Sequence, residues 1–147
     1  ARFLRSYLIE KSIVINREVQ IRRDNTRQFA DIHLTALEQS NSSVSRKIEL
    51  VIEVKGNWNQ QIDEAMRSQL LDEYMKKNSI NRGIYLVSWF NYENWDEEDH
   101  RRSAALSKNE SKQRALDKYK EQARRLSDDT FKVEPYILDI SLGESRD

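Results

Sequence analysis

Arg46-Lys47-Ile48-Glu49-Leu50-Val51-Ile52-Glu53-Val54-Lys55-Gly56 is the stretch that decides how this chain folds. Its even positions, Ile48, Leu50, Ile52 and Val54, are all apolar. Its odd positions, Lys47, Glu49, Glu53 and Lys55, are charged, with Val51 the exception. A period of two is the signature of a β-strand, whose successive side chains point to opposite faces. Glu53 and Lys55 therefore share a face, roughly 6.5–7 Å apart. Gly56 breaks the strand and leaves Lys55 at its C-terminal end, where parallel and mixed sheets build ligand sites.

The same alternation occurs upstream in Phe29-Ala30-Asp31-Ile32-His33-Leu34, which puts Asp31 and His33 on one face and Ile32 and Leu34 on the other. If the two segments pair as a hairpin across the polar stretch Glu38 to Arg46, Asp31 faces Glu53. Two carboxylates and one ammonium around a single point are the minimum apparatus for holding a divalent metal and activating water against a phosphodiester. Two amphipathic strands with solvated outer faces would give the same pattern, so the chain beyond Lys55 has to discriminate.

Gln60 to Lys77 reads as a helix, with Ile62, Ala65, Met66 and Leu70 at helical spacing. Gln69 falls on the inward side, where an aliphatic residue would be cheaper. Ile84-Tyr85-Leu86-Val87-Ser88-Trp89-Phe90 follows as an almost wholly apolar run, the pattern of a strand buried on both faces. Ile13 to Arg22 predicts an earlier strand, with Ile13, Ile15, Val19 and Ile21 on one face. Asn16, Glu18, Gln20 and Arg22 occupy the other, a polar face able to border the site. The order is helix, strand, strand with Asp31, strand with Glu53 and Lys55, helix with Gln69, strand.

From about Glu18 to Phe90 this order, with Asp31 and Glu53-Val54-Lys55, resembles the PD-(D/E)xK nuclease superfamily, the restriction-endonuclease-like fold. Ser68-Gln69-Leu70-Leu71-Asp72-Glu73-Tyr74 is similar to the glutamine-and-tyrosine helix motif of its RecB-like branch. Ala30 stands where the family's name has proline, and Gln69 and Tyr74 are one residue further apart than in the usual motif. The resemblance implies an α/β domain with a central mixed sheet flanked by helices, and hydrolysis assisted by Mg²⁺ or Mn²⁺. It implies Asp31, Glu53 and the Val54 carbonyl as metal ligands, with Glu18 as an added carboxylate from an early element. Lys55 is implied as the group that orients or deprotonates the attacking water, and Gln69 as a polar clamp. The implied substrate is nucleic acid, DNA ahead of RNA, and a DNA endonuclease of a restriction or antiviral defence system is the expected setting. A catalytically silent module of the same fold, binding nucleic acid or a partner in an ATP-driven complex, is the alternative.

Composition narrows the field. The chain has 147 residues, 17.5 kDa, and reads as one domain over 1–147. With no cysteine, thiol catalysis, a disulfide framework and cysteine-ligated metal sites are excluded. No apolar run reaches membrane-spanning length and no signal-type N-terminus is present, so a cytoplasmic protein without a membrane partner is expected. The chain starts at Ala1 inside a helical pattern of Phe3, Leu4, Tyr7 and Leu8, which reads as a domain cut from a larger protein. Other domains of that parent, and a second copy in a homodimer, are compatible partners.

Charge sums to zero, 25 basic against 25 acidic residues, which argues against a nucleic-acid binder until its distribution is considered. Basic residues gather at Arg17, Arg22, Arg23 and Arg27, and again from Lys112 to Arg125; acid gathers from Glu93 to Asp99. Arg22, Arg23, Trp58 and Tyr74 are the candidate nucleic-acid contacts, Trp58 by stacking on a base or sugar or else as a loop anchor. Ordinary solvated helix faces would also segregate charge in this way. His33 and His100 are read as surface or supporting residues, and Trp89 and Phe90 as core. Asn91 to Ser103 predicts an acidic loop. Lys108 to Leu126 predicts a charged helix with one apolar stripe (Leu116, Tyr119, Ala123, Leu126). Phe131 to Ile140, interrupted by Pro135, predicts a late strand at a sheet edge.

Overall fold

The computed structural model describes residues 13–20, 29–38, 46–92, 95–108 and 110–141. Five strands form one sheet in the order β1-β2-β3-β4-β5: β1 (Ile13–Gln20), β2 (Phe29–Glu38), β3 (Arg46–Gly56), β4 (Arg82–Trp89) and β5 (Lys132–Asp139). β1, β2 and β3 alternate in direction, each antiparallel to the one before, whereas β4 and β5 run parallel to β3. The fold is therefore α/β with a mixed sheet. Parallel strands need crossovers, and helices supply them. The β3–β4 crossover carries α1 (Ile62–Ala65), continued as a π-helix (Met66–Lys76), and the β4–β5 crossover carries α2 (His100–Lys108) and α3 (Lys112–Leu126).

The expected hairpin forms. β2 and β3 pair with Leu34 opposite Leu50 and Ile32 opposite Ile52, so the next step of that register sets Asp31 against Glu53. Odd residues of β2 to β5 look toward the helices, and there the core lies: Val51, Tyr85, Val87 and Val133 against Ile62, Met66, Leu70, Met75, Ala115 and Tyr119. Tyr85 donates its hydroxyl to the Ile62 carbonyl at 2.5 Å and meets Tyr119 edge-on, centroids 5.8 Å apart, which pins α1 and α3 over the sheet. Gly83 lets the π-helix come close: a Cβ there would lie 2.5 Å from Met75 Sδ and 3.0 Å from Leu70 Cδ1.

Several expectations are corrected. β4 is buried on one face only; Gly83, Tyr85 and Val87 are buried while Ile84, Leu86 and Ser88 are half-buried. Its apolar even face continues into Ile48, Tyr136 and Leu138, which are exposed. The segment expected to be an acidic loop enters a helix, α2, at His100, and the helix expected from Lys108 begins at Lys112 as α3. Ser111 caps α3 by accepting from the Arg114 amide at 3.3 Å, the local signal for that second start. β5 lies at the sheet edge with Pro135 inside it, as expected. Arg22, Arg23 and the N-terminal helical pattern lie outside the described residues. Among the described residues no helix is long and apolar enough to cross a membrane.

Candidate functional site

Strand alternation and one hydrogen bond assemble the site. Asp31 Oδ2 accepts from the Val54 amide at 2.7 Å, where the β2–β3 ladder has already ended at Ile32↔Ile52. A carboxylate thus stands in for a backbone carbonyl and fixes Asp31 against the strand that carries Glu53 and Lys55. Glu53 is 1 % exposed, on the core face beside Tyr85. Its Oε1 accepts from Lys55 Nζ, while Oε2 is buried without a hydrogen-bond partner. Burial pushes the Glu53 carboxyl up to about 7; the Lys55 hydrogen bond pulls it back, and the Asp31 charge pushes it further up. An unpartnered oxygen on a buried acid, next to a second carboxylate, is a site short of one electropositive group.

Glu18 stands opposite Asp31 by its place between the pairs Arg17↔Ile32 and Val19↔Ala30. Three acidic positions therefore cross three adjacent strands in one row. Among the described residues, no group of three or more histidine, aspartate or glutamate side chains forms that could hold a metal ion. Asp31 and Glu53 are the described pair. Both are oxygen donors, and Glu53 Oε2 is unsatisfied, so the residues present fit a hard divalent cation.

The helix motif is placed differently for its two members. Tyr74 is buried, and burial, followed by the nearby charges of Glu53 and Asp31, raises its hydroxyl above the ordinary range. Its place within reach of their charges follows from the π-helix. In an α-helix residues five apart fall on different sides. A π-helix closes its hydrogen bonds over five residues, so the extra residue between Gln69 and Tyr74 is absorbed. Gln69 is half-buried and donates from Nε2 to Gln61 Oε1 at 3.2 Å, at the lip of the site rather than against the carboxylates. His33 shares the Asp31 face but lies 3.2 Å from Glu49, a pairing that serves the strands.

Beyond Lys55 the chain turns sharply, and the residues that hold this turn were missed in the sequence. Asn57 donates to the Phe90 carbonyl at 3.0 Å, and its own amide donates to the Ser88 carbonyl at 3.0 Å, clamping the ends of β3 and β4 together. Trp58 then lies back over Gly56; a Cβ there would fall 2.4 Å from the indole. The ring meets Phe90 and Trp95 edge-on, centroids 4.7 and 5.3 Å away. Arg101 covers Trp58 and Trp95 at 5.8 and 5.2 Å while its edge binds both oxygens of Asp99. Trp58 is thus an anchor as well as a surface. Phe90 belongs to this cluster and not to the main core. His100 is almost wholly exposed, 3.9 Å from Asp99. A buried asparagine after a strand-breaking glycine was the available signal for the turn. Arg101 carried none, because its role needs Trp58 and Trp95 brought together.

The basic run on α3 is largely self-paired. Lys112 meets Asp139, Lys118 meets Asp63 and Glu110, and Arg124 and Arg125 share Glu121. Comparison with known families gives one match: the model of Domain of unknown function (DUF8371) covers residues 2–92, and the chain belongs to that family. No curated protein and no solved structure matches the chain.

Proposed function

We propose, for this member of the DUF8371 family, hydrolysis of phosphodiester bonds in nucleic acid at the Asp31–Glu53–Lys55 site, in a restriction-endonuclease-like core. The observation that carries the reading is Glu53, a buried acid with one unpartnered oxygen beside Asp31 and Lys55. Burying a carboxylate disfavours its charged form strongly unless a partner compensates, and packing alone would have been served by an aliphatic residue. The strand order adds support: an antiparallel trio followed by a helix and a parallel fourth strand makes a central mixed sheet, as the resemblance implies.

Asp31, Glu53 and the Val54 carbonyl would hold Mg²⁺ or Mn²⁺, with Glu18 from β1 as a further carboxylate. Such a bound ion supplies Lewis acidity and a bound water of lowered pKa. Asp31 keeps the Val54 peptide in place through its amide. Lys55, held by Glu53 and 14 % exposed, reaches the solvent edge, where it would orient the attacking water and offset charge on the phosphate. Tyr74 is buried close enough to the two carboxylates for their charges to raise its hydroxyl. The alternative is a silent module of the same fold that binds nucleic acid without cutting it.

Incubation of plasmid DNA, linear DNA and RNA with Mg²⁺, Mn²⁺ or EDTA separates the two. Metal-dependent cleavage is expected, abolished by Asp31→Asn and by Glu53→Gln in folded protein. Lys55→Ala should lower the rate by roughly 10²-fold or more with Mn²⁺ binding retained. Cleavage undiminished by EDTA or by either carboxylate variant overturns the assignment.

A further inference from the structure

The sheet has a second face, carried by the even residues of β2 to β5 and, through the antiparallel register, by the odd residues of β1. α1, the π-helix and α3 pack on the other side, against Val51, Tyr85, Val87 and Val133. α2 joins them there through Ala105, beside Ile62 and Tyr119. Among the described residues no helix lies over the second face. It is apolar nonetheless: Ile48, Tyr136 and Leu138 are 45 %, 50 % and 50 % exposed, and Ile32, Ile52, Ile84 and Leu86 are half-buried. Five strands, each turning four residues to that side, span roughly 24 by 26 Å, about 600 Å² per copy. Two such faces together bury roughly 1,200 Å², the size at which specific protein–protein interfaces begin.

One row of this face decides how a partner lies on it. Register places Arg17, Ile32, Ile52, Ile84 and Glu134 side by side across all five strands. A cationic position thus stands on one edge strand and an anionic one on the other, with three isoleucines between them. Glu134 is exposed, and its carboxylate accepts from the neutral Tyr136 hydroxyl at 2.9 Å. β3 is the middle strand. A twofold axis along β3 lays β1 of one copy over β5 of the other, so each Arg17 meets the other copy's Glu134. Ile48 and Ile52 then meet their own counterparts, as a self-complementary interface requires. A twofold axis along the row instead sets Arg17 on Arg17 and Glu134 on Glu134, like charges that oppose association. From the open apolar face and its oppositely charged edges, we infer that the chain forms a twofold dimer, sheet against sheet, with β3 on the axis. Asp31, Glu53 and Lys55 lie on the face turned away, so the two sites stay clear of the interface, on opposite outer sides. The inference stands independently of the hydrolytic reading.

Equilibrium sedimentation of the whole chain tests it, across roughly 1 to 100 µM, the span that brackets a micromolar Kd. The expected mass at the upper end is about 35 kDa, twice the 17.5 kDa of one chain. Arg17→Glu and Glu134→Arg should each raise the dimer Kd roughly tenfold or more, with circular dichroism unaltered. Mixed in equal amounts, the two variants should recover the native Kd, because each then offers the other the missing opposite charge. The two changes combined in one chain should do the same. Leu138→Lys, at an exposed position of the same face, should give monomer even where a charge reversal fails to fold. A native chain that is monomeric at every concentration overturns the inference and leaves the face to residues 1–12 or to a different protein. A dimer indifferent to Leu138→Lys overturns it too, and a dimer indifferent to both charge reversals overturns the axis along β3.

Discussion

Below about pH 7 Glu53 carries its proton in the folded chain, while in the unfolded chain it loses that proton near 4.5. Its folded pKa is raised, so its contribution to stability is complete below 4.5 and disappears as pH rises through 7. Metal-free protein should therefore lose stability across that window, by on the order of 3 kcal/mol from this group. Glu53→Gln removes the term: urea melts at pH 8 should show the variant more stable than the native chain, and at pH 4 no more stable. The same variant should lose the Mn²⁺-dependent rise in melting temperature that the native chain shows at pH 8. A native stability flat between pH 4.5 and 7 would mean that Glu53 is ionised and compensated without metal. Asp31, Glu53 and Lys55 were legible because strand periodicity assigns faces without knowledge of the fold. The unpartnered oxygen on Glu53 was not legible, because it depends on everything packed above it.

For the elements, the decisive contact is the π-helix on β4. Gly83→Ala adds a methyl group where Met75 and Leu70 already touch, so it should destabilise by about 1–3 kcal/mol, the range of an overpacked core, read as a lower urea midpoint with unchanged slope. Gln69 tests the same helix differently. It is half-buried and bonded to Gln61, not to the carboxylates, so Gln69→Met should leave the melting temperature within a few degrees. Cleavage or strand binding should drop roughly 10-fold, the scale of one hydrogen bond lost from the edge of the site. Unchanged function in Gln69→Met would reduce Gln69 to a bystander on the helix. Element types were largely readable: all five strands and the helix after Lys55 follow from apolar spacing. α2 was not, because Arg101, Arg102 and Ser103 carry no apolar stripe, and among its described residues only Ala105 is buried. The π-helix was also hidden, since its hydrogen-bond shift leaves no mark in composition.

Across the whole molecule, the neutral charge sum proves more informative than its segregation suggested. Four of the six basic residues of α3, Lys112, Lys118, Arg124 and Arg125, answer acids on the same helix or its neighbours, and exposed pairs of this kind contribute little to stability. Arg124→Ala with Arg125→Ala should change DNA affinity less than about twofold and stability by less than about 0.5 kcal/mol. An affinity loss beyond tenfold would make α3 a phosphate track after all. Electrostatics at this scale could not be read from the sequence, because which acid meets which base is set by the β4–β5 crossover.

The bond from the Val54 amide to Asp31 gives the two carboxylates unequal fates under drift. A descendant that abandoned chemistry would still need Asp31, since losing it leaves a strand amide unanswered and loosens the hairpin. It would shed Glu53 first, because replacing that acid with something neutral makes the fold sturdier at once. Under the proposed function, Asp31 is thus a poor witness to a working site and Glu53 the better one.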